Sequence, residues 1–206
     1  MTETNQADTD VVQRLTAHDP EAATRLHARL VERAQQEGLL DVAYRTVDSP
    51  FGQLLLAGTA AGLVRVAYQV EDHERVLHRL SEEVSSRVLH APGRLDEAAS
   101  QLEEYFERNR TNFTLALDMR LARGFRREVL AHLTEIGYGR TASYSEVAVA
   151  SGRPKAVRAV GTACARNPLP VVVPCHRVLR SDGSPGGYVG GLAAKATLLR
   201  LEGRHE

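Results

Sequence analysis

Hydrophobic periodicity in this chain changes at Asp118, and that change restricts the fold to two kinds of packing in series. Before it, apolar residues gather in short runs divided by turn signals. Val42–Val47 is followed by Ser49-Pro50-Phe51-Gly52, Gln53–Ala57 by Gly58–Gly62, and then comes Leu63–Tyr68. Runs punctuated in this way predict three strands of an antiparallel meander. Two helical repeats follow, near Glu71–Val88 through Val76, Leu77, Leu80 and Val84, and near Leu95–Asn109 through Leu95, Ala98, Leu102 and Phe106. After Asp118 the pattern is helical only. Phe125, Val129, Leu133 and Ile136 mark one helix closed by Gly137-Tyr138-Gly139. The expected fold class is α+β: an α/β domain with a small antiparallel sheet over residues 40–118, then an all-helical domain over 119–206. Residues 1–39 read as an extension. It is polar and expected to be disordered to residue 19, then helical from Asp19-Pro20-Glu21, an N-cap followed by Pro, to Gly38. Packing of that helix on the α/β domain is the preferred expectation.

Charge divides at the same place. Lys+Arg and Asp+Glu both number 26, so the chain is neutral as a whole. Residues 1–119 carry 12 basic and 20 acidic groups, whereas residues 120–206 carry 14 and 6. A basic second half suits a localised polyanion site, but two solvated surfaces of opposite sign explain it equally well. No run approaches the ~20 apolar residues of a membrane span. The start MTETNQADTD lacks the basic and apolar regions of a secretory signal, so the cytoplasm is expected. The two cysteines, Cys164 and Cys175, are too few for a disulfide scaffold or a Cys-rich zinc module.

Within the helical half, Ser143-Tyr144-Ser145-Glu146 has capping-box spacing and opens a short helix ending at Gly152. Pro154 is expected to open the next, which stops at Asn167-Pro168. The pair is compatible with helix-turn-helix, as are many helical pairs. The second helix is read as carrying Lys155, Arg158 and Arg166 among the small residues Ala156, Ala159, Gly161 and Ala163. Small residues permit close approach to an external surface, or tight packing inside the protein. Val171–Val173, between Pro170 and Pro174, is expected to be a buried extended segment delivering Cys175 beside His176 and Arg177. Neighbouring His or Arg favours a thiolate. Adjacent strand residues point to opposite faces, so contact between Cys175 and His176 requires a turn or a bridging water. On spacing alone, a buried structural thiol beside a surface imidazole is favoured over a nucleophile. Cys164 reads as a small core residue. The loop Ser181–Gly187 lacks the helix that directly follows a phosphate-binding fingerprint. A last helix, Leu192–Glu202, ends at Gly203.

Taken together, Pro174-Cys175-His176-Arg177-Val178, the Ser-Asp-Gly-x-x-Gly-Gly-Tyr loop ending at Tyr188, and Lys195-x-x-Leu-Leu-x-x-Glu202-Gly203 resemble the O6-alkylguanine-DNA alkyltransferase family. So do Arg158-Ala159-Val160-Gly161, Asn167-Pro168 and Pro170, and, further upstream, Gln101-Leu102-x-Glu104-Tyr105-Phe106 and Leu117-Asp118. The resemblance spans residues 40–206. It implies a ribonuclease-H-like first domain, a helix-turn-helix second domain, and irreversible single-turnover transfer of an alkyl group from guanine O6, or more slowly thymine O4, to the protein's own cysteine. It implies a partner, double-stranded alkylated DNA, whose damaged nucleotide is flipped out of the stack. It implies no cofactor and no membrane, and a monomer is expected.

Residue by residue, the resemblance gives Cys175 as nucleophile, His176 as its activator through a water, and Glu202 as the carboxylate orienting His176. Tyr144 assists nucleotide rotation and donates toward the departing guanine. Arg158 is the finger that fills the vacated stack, with Lys155 and Ala159 beside it on the DNA. Asn167 is the hinge, and Pro170, Val178, Tyr188 and Val189 belong to the guanine pocket. Val189 departs from the Ser, Arg or Trp of many members, and Ala122-Arg123-Gly124-Phe125-Arg126 from a common Gly-Thr-x-Phe-Gln. With no cysteine before Cys164, the structural zinc of some members is not expected. Three alternatives compete with it: a DNA-binding module without chemistry, a regulator signalling through Cys175 alkylation, and a thiol hydrolase. The first is disfavoured by Cys175, His176 and Glu202 together, the second by the missing sensor module, and the third by the basic helix.

Overall fold

The structure is a computed structural model that describes residues 20–203. The Asp19 cap and the expected disorder of residues 1–19 lie outside the described residues. The chain divides into two compact units, Met1–Leu40 and Asp41–Glu206. The first holds α1, Pro20–Gln36. Arg33 Nε reaches Glu37 Oε1 at 2.8 Å in its last turn, and Gly38 follows at φ 66°.

The second unit begins with a sheet of β1 (Val42–Val47), β2 (Leu54–Thr59), β3 (Gly62–Tyr68) and β4 (Val88–His90), in the order β3-β2-β1-β4. The three-stranded meander is present: β1 pairs antiparallel with β2, and β2 with β3. The sequence reading missed β4, which pairs parallel with β1 through Val42↔Val88 and Tyr44↔His90. A parallel partner needs a crossover. Here α2, His73–Glu83, forms part of that crossover, so it stops short of the expected Val88. Leu54, Leu55, Leu56 and Ala57 are all buried, the continuous apolar run of a strand covered on both faces. Val42, Leu55, Ala57, Val64 and Ala67 form a core cluster with Val76 and Leu80 of α2.

After α3, Asp96–Phe106, the chain returns to the edge of β3. Leu63 N donates to Ala116 O, and Asp118 N to Leu63 O, both at 2.8 Å. The approach requires Gly62, at φ 131°, because a Cβ there would collide with the Ala116 carbonyl. The Asp118 carboxylate then accepts from Thr59 Oγ1 at 2.5 Å and from Arg120 Nε at 2.7 Å.

The second half holds α4 (Phe125–Leu133), α5 (Tyr144–Ala150), α6 (Val157–Ala165) and α7 (Gly191–Leu201). A two-residue parallel pair, β5 (Ala142–Ser143) with β6 (Val178–Leu179), adds to the expected helices. The capping box forms: Glu146 N donates to Ser143 Oγ at 3.1 Å, and Ser143 N to Glu146 Oε2 at 2.6 Å. Two expectations are corrected. Pro154 does not open α6. It sits in a turn in which Ala156 N meets Arg153 O at 2.8 Å, which leaves Lys155 ahead of the helix and Arg166 at its C-cap. Val171–Val173 is buried but not extended. Val171 adopts φ 73°, and Val173 N bonds Leu169 O at 2.8 Å, because the Asn167 side chain ties both ends of the turn.

Candidate active site

Asn167 follows the C-cap of α6 and is buried. Its Oδ1 accepts from Leu169 N at 3.0 Å, so its amide nitrogen faces the other way. Nδ2 donates to Val173 O at 2.8 Å and to Cys175 Sγ at 3.1 Å. One side chain thus shapes the turn and touches the sulfur at its end. The neighbouring Pro168 carbonyl accepts from Val66 N of β3 at 2.9 Å, which anchors this segment to the sheet edge.

Cys175, His176 and Arg177 form one 3-10 turn, so the chain does turn at the Cys-His pair. Cys175 is buried, and burial pushes its thiol up to about 11, against the opposing pulls of the Asn167 hydrogen bond and the Lys195 charge. His176 has 0% exposure. Its Nε2 donates to Glu202 Oε1 at 3.0 Å, which leaves Nδ1 as the lone-pair nitrogen, buried and without a partner. Burial, aided by the Arg177 and Lys195 charges, lowers the His176 pKa against the pull of Glu202, so the ring is neutral near pH 7. No direct hydrogen bond joins His176 to Cys175 among the described contacts.

Glu202 caps the C-terminus of α7 and is the hub. Arg177 reaches it through Nε at 3.0 Å and Nη2 at 2.7 Å. Tyr105 Oη, from α3, donates at 2.6 Å, and Gly139 N at 3.3 Å. Burial alone would raise this carboxyl. The hydrogen bonds from His176, Arg177 and Tyr105 outweigh burial and hold it near about 2. Glu202 therefore stays ionised and orients His176 without taking its proton.

Tyr144 opens α5 immediately after its cap, half-buried. Burial raises its hydroxyl to about 12, with Cys164 and Cys175 adding to the rise, so it remains a donor. The loop after the Cys175–Arg177 turn crosses this hydroxyl at Gly186, where a Cβ would collide with Tyr144 Oη. Tyr188 bonds Tyr68 of β3 through the two hydroxyls at 2.8 Å, and its ring meets His176 edge-on at 6.4 Å. Pro170 and Val178 are buried, and Val178 lies in β6. Val189 follows Tyr188 in the chain. With Asn167 it lines a cavity of about 450 Å³ that also includes Arg65, Arg79 and Arg166.

On α6, Val160, Ala163 and Cys164 face the core, which bears out Cys164 as a small core residue; burial pushes its thiol far up. Arg158 and Ala159 are exposed, and Lys155 is exposed in the preceding turn. The departure around Gly124 is a local cap. Gly124 precedes α4 at φ 55°, and Arg126 donates to the Leu121 carbonyl. The described residues contain no group of three or more His, Cys, Asp or Glu able to hold a metal, and no helix long and apolar enough to cross a membrane. Sequence reasoning missed Arg177 as the Glu202 clamp, Lys195 as a buried side chain, and Tyr68. Tyr105 was visible only as part of a motif.

The model of the 6-O-methylguanine DNA methyltransferase ribonuclease-like domain matches residues 42–119, and that of the same family's DNA binding domain matches residues 124–204. A methylated-DNA–protein-cysteine methyltransferase of Mycolicibacterium paratuberculosis is 42% identical, over 80% of this chain and 94% of its own length. The constitutive one of Bacillus subtilis is 38% identical, over 77% and 94%. The crystal structure of Mycobacterium tuberculosis O6-methylguanine methyltransferase superimposes with a TM-score of 0.68 at 39% identity, covering 78% of this chain and 92% of that one. Sheet, helical half and buried Cys-His-Glu arrangement thus occur in a chain that matches these relatives over nearly their whole length, and the chain belongs to the O6-methylguanine-DNA methyltransferase family.

Proposed function

We propose that this protein repairs DNA by moving the alkyl group of O6-alkylguanine onto Cys175, once per molecule. The observation that carries the assignment to Cys175 is the buried Glu202–His176 pair at 3.0 Å, one residue along the same turn from a sulfur that Asn167 touches at 3.1 Å. His176 is neutral, with Nδ1 open to receive a proton, and Glu202 fixes the tautomer that leaves it so. In the resting protein burial pushes the thiol up to about 11, so it carries its proton at pH 7. When substrate fills the site, the thiol proton passes to His176, directly or through water. The sulfur lone pair then forms the S–C bond as the C–O6 bond breaks, and the electron pair leaves with guanine, which takes up a proton. Tyr144, held protonated, donates a hydrogen bond to the departing base. The thioether has no good leaving route, so the molecule is spent.

Duplex recognition falls to the exposed face of α6 and the turn before it. Ala159 lets the backbone come close, Lys155 meets phosphate, and Arg158 fills the stack left by the flipped base. Asn167 couples the end of that helix to the sulfur. Pro170, Val178 and Tyr188 wall the base pocket, with Val189 at its edge. By the same displacement the thiolate takes the methyl of O4-methylthymine, which is bonded to an equivalent exocyclic oxygen. The test is to mix stoichiometric protein with an O6-methylguanine duplex and weigh it. One methyl per molecule, mapped to Cys175, is expected. No gain in mass, or product formed beyond one equivalent, overturns the reading.

A further inference from the structure

Strand β3 is tied to two segments of the base pocket. Val66 N donates to the Pro168 carbonyl at 2.9 Å, and Arg65 Nη1 reaches the same oxygen at 3.2 Å, just ahead of Pro170. Two residues further along the strand, Tyr68 reaches the loop that follows Cys175. Its hydroxyl lies 2.8 Å from that of Tyr188, and the two rings meet edge-on at 5.7 Å. Gly190 completes the grip. A Cβ there would come within 2.7–2.8 Å of three atoms at the hydroxyl end of the Tyr68 ring. Gly190 has φ −83°, a conformation open to any residue, so the ring and not the backbone requires glycine. Tyr68 thus holds both chain neighbours of Val189. Tyr68 is itself buried, backed edge-on by Phe51 at 6.0 Å, which meets Phe106 of α3 at 5.8 Å. Burial raises the pKa of both tyrosine hydroxyls, so the bond between them persists through neutral pH.

We propose that Tyr68 is a positioning residue that sets the alkyl size this site accepts: it fixes the loop on both sides of Val189 and thereby the width of the base pocket. Pro168 and Tyr188 belong to segments on either side of Cys175 in sequence, yet both are tied to one strand. Residues two apart on a strand have a fixed separation of about 6.6 Å, so the pocket widens only when one tie gives. A methyl group needs little room beyond the base. A benzyl group adds a ring and needs the loop to move outward. The tie therefore penalises a bulky lesion more than a small one. Tyr68 acts through Tyr188 and Gly190 and takes no part in the bond changes at sulfur. The inference rests on Cys175 being the nucleophile and on Tyr188 and Val189 lining the base pocket.

The test compares single-turnover rates on duplexes carrying O6-methylguanine and O6-benzylguanine, at saturating DNA. Tyr68→Phe keeps the ring against Gly190 and Phe51 and removes one hydroxyl. It is expected to raise the benzyl-to-methyl rate ratio about fivefold, the worth of one hydrogen bond, with the methyl rate within about twofold of wild type. A general folding defect lowers both rates alike and leaves the ratio where it was. Tyr188→Phe should shift the ratio as far, and the double variant no further, because both lose the same bond. Gly190→Ala drives a wedge between loop and ring. It should raise the ratio in the wild type, and its effect should vanish in a Tyr68→Leu background, where no ring opposes the Cβ. An unmoved ratio in folded Tyr68→Phe overturns the proposal, as does a Gly190→Ala effect that is the same with and without the Tyr68 ring. If Tyr68→Leu does not fold, the cycle of Tyr68→Phe and Tyr188→Phe still decides, and additive shifts overturn the proposal. Methyl transfer by the wild type is read first. Its absence overturns the repair reading, whereas transfer with an unmoved ratio overturns the Tyr68 role alone.

Discussion

Arg158 and His176 lie in the same half of the chain in opposite surroundings. Arg158 is exposed on α6, flanked by Val157 and Ala159, and its side chain makes no hydrogen bond or ion pair among the described residues. His176 has 0% exposure and is bonded to a carboxylate that accepts in turn from Arg177, Tyr105 and Gly139. The outer face is built of groups left for a ligand to complete. The inner group is already saturated apart from one ring nitrogen, His176 Nδ1. The contrast assigns different penalties to change. Loss of an outer residue should alter what happens on DNA and leave the fold alone, whereas loss of an inner one should alter both rate and stability.

The largest effect is expected at the sulfur. Cys175→Ser should abolish transfer while duplex binding persists, because little shape changes. Cys164→Ser should transfer normally, since that thiol is packed on the inner face of α6. Mass mapping of the alkylated wild type checks both, and alkyl found on Cys164 would reverse the assignment.

Next is Glu202→Gln. The neutral amide still contacts His176, but it no longer balances Arg177, which is buried with it. Removing one electrostatic partner from a reacting group costs on the order of 10²-fold in rate. Breaking a buried ion pair costs about 3–5 kcal/mol of stability. Single-turnover rates and urea unfolding should therefore both move. A rate loss with no stability loss would mean that Arg177 finds another acceptor and that the inner site is less saturated than it looks.

Arg158→Ala probes the outer face. If the side chain fills the vacated stack, the flipped nucleotide is less populated without it, and transfer from duplex falls with that population, about tenfold for a loss of ~1.4 kcal/mol. Transfer from free O6-alkylguanine base needs no flipping and should be unchanged, as should Tm. Equal slowing on both substrates would move Arg158 into the inner category. Normal duplex rates at saturating DNA, with only weaker affinity, would reduce it to a phosphate contact.

The two regions also differed in how far they could be read in advance. The meander, the Ser143 capping box and the last helix follow from local pattern, and the structure has them. The small exposed face of α6 was legible as residue types, but its orientation was not. What escaped was decided by distant partners. Val88 is in helical phase with Val84, and only pairing with Val42 makes it a strand. Val171–Val173 looks extended between two prolines until the Asn167 side chain ties it into a turn. Arg177 reads as a neighbour that favours the thiolate, yet the 3-10 turn sends it to Glu202, 25 residues away in sequence. No local rule places Lys195 inside.

The inner site has a pH signature. The His176 pKa is lowered by burial, so the unfolded chain binds that proton more readily than the folded one. Its contribution to stability is present above the ordinary histidine pKa of about 6.5 and is lost as pH falls below it. Glu202, held near about 2, contributes stability above the ordinary carboxylate range that is lost as pH falls toward 2. Both act in the same direction, so Tm should decline on acidification in two stages. His176→Gln should remove the first stage, and an unchanged decline between pH 6.5 and 5 in that variant would assign it elsewhere.

Tyr105 gives the smallest expected effect and the finest test of the contrast. It belongs to α3, beyond the helical half, yet its hydroxyl donates to the same Glu202 oxygen that His176 uses, at 2.6 Å. Burial raises its pKa strongly, and the Glu202 charge raises it further, so it is a fixed donor and never a base. Tyr105→Phe removes one of several donors and keeps the ring packed against Phe106, Phe113 and Tyr138. Arg177 and Gly139 still hold the carboxylate, so His176 keeps its orientation. The expected cost is about 1 kcal/mol of stability and a change of less than about fivefold in single-turnover rate. With one donor fewer, Glu202 becomes a slightly stronger acceptor for His176, and a small rate increase at unchanged geometry fits the same picture. A loss comparable with that of Glu202→Gln does not. It would mean that the carboxylate is positioned mainly from the first half of the chain, and that the buried relay and the sheet domain are one functional unit.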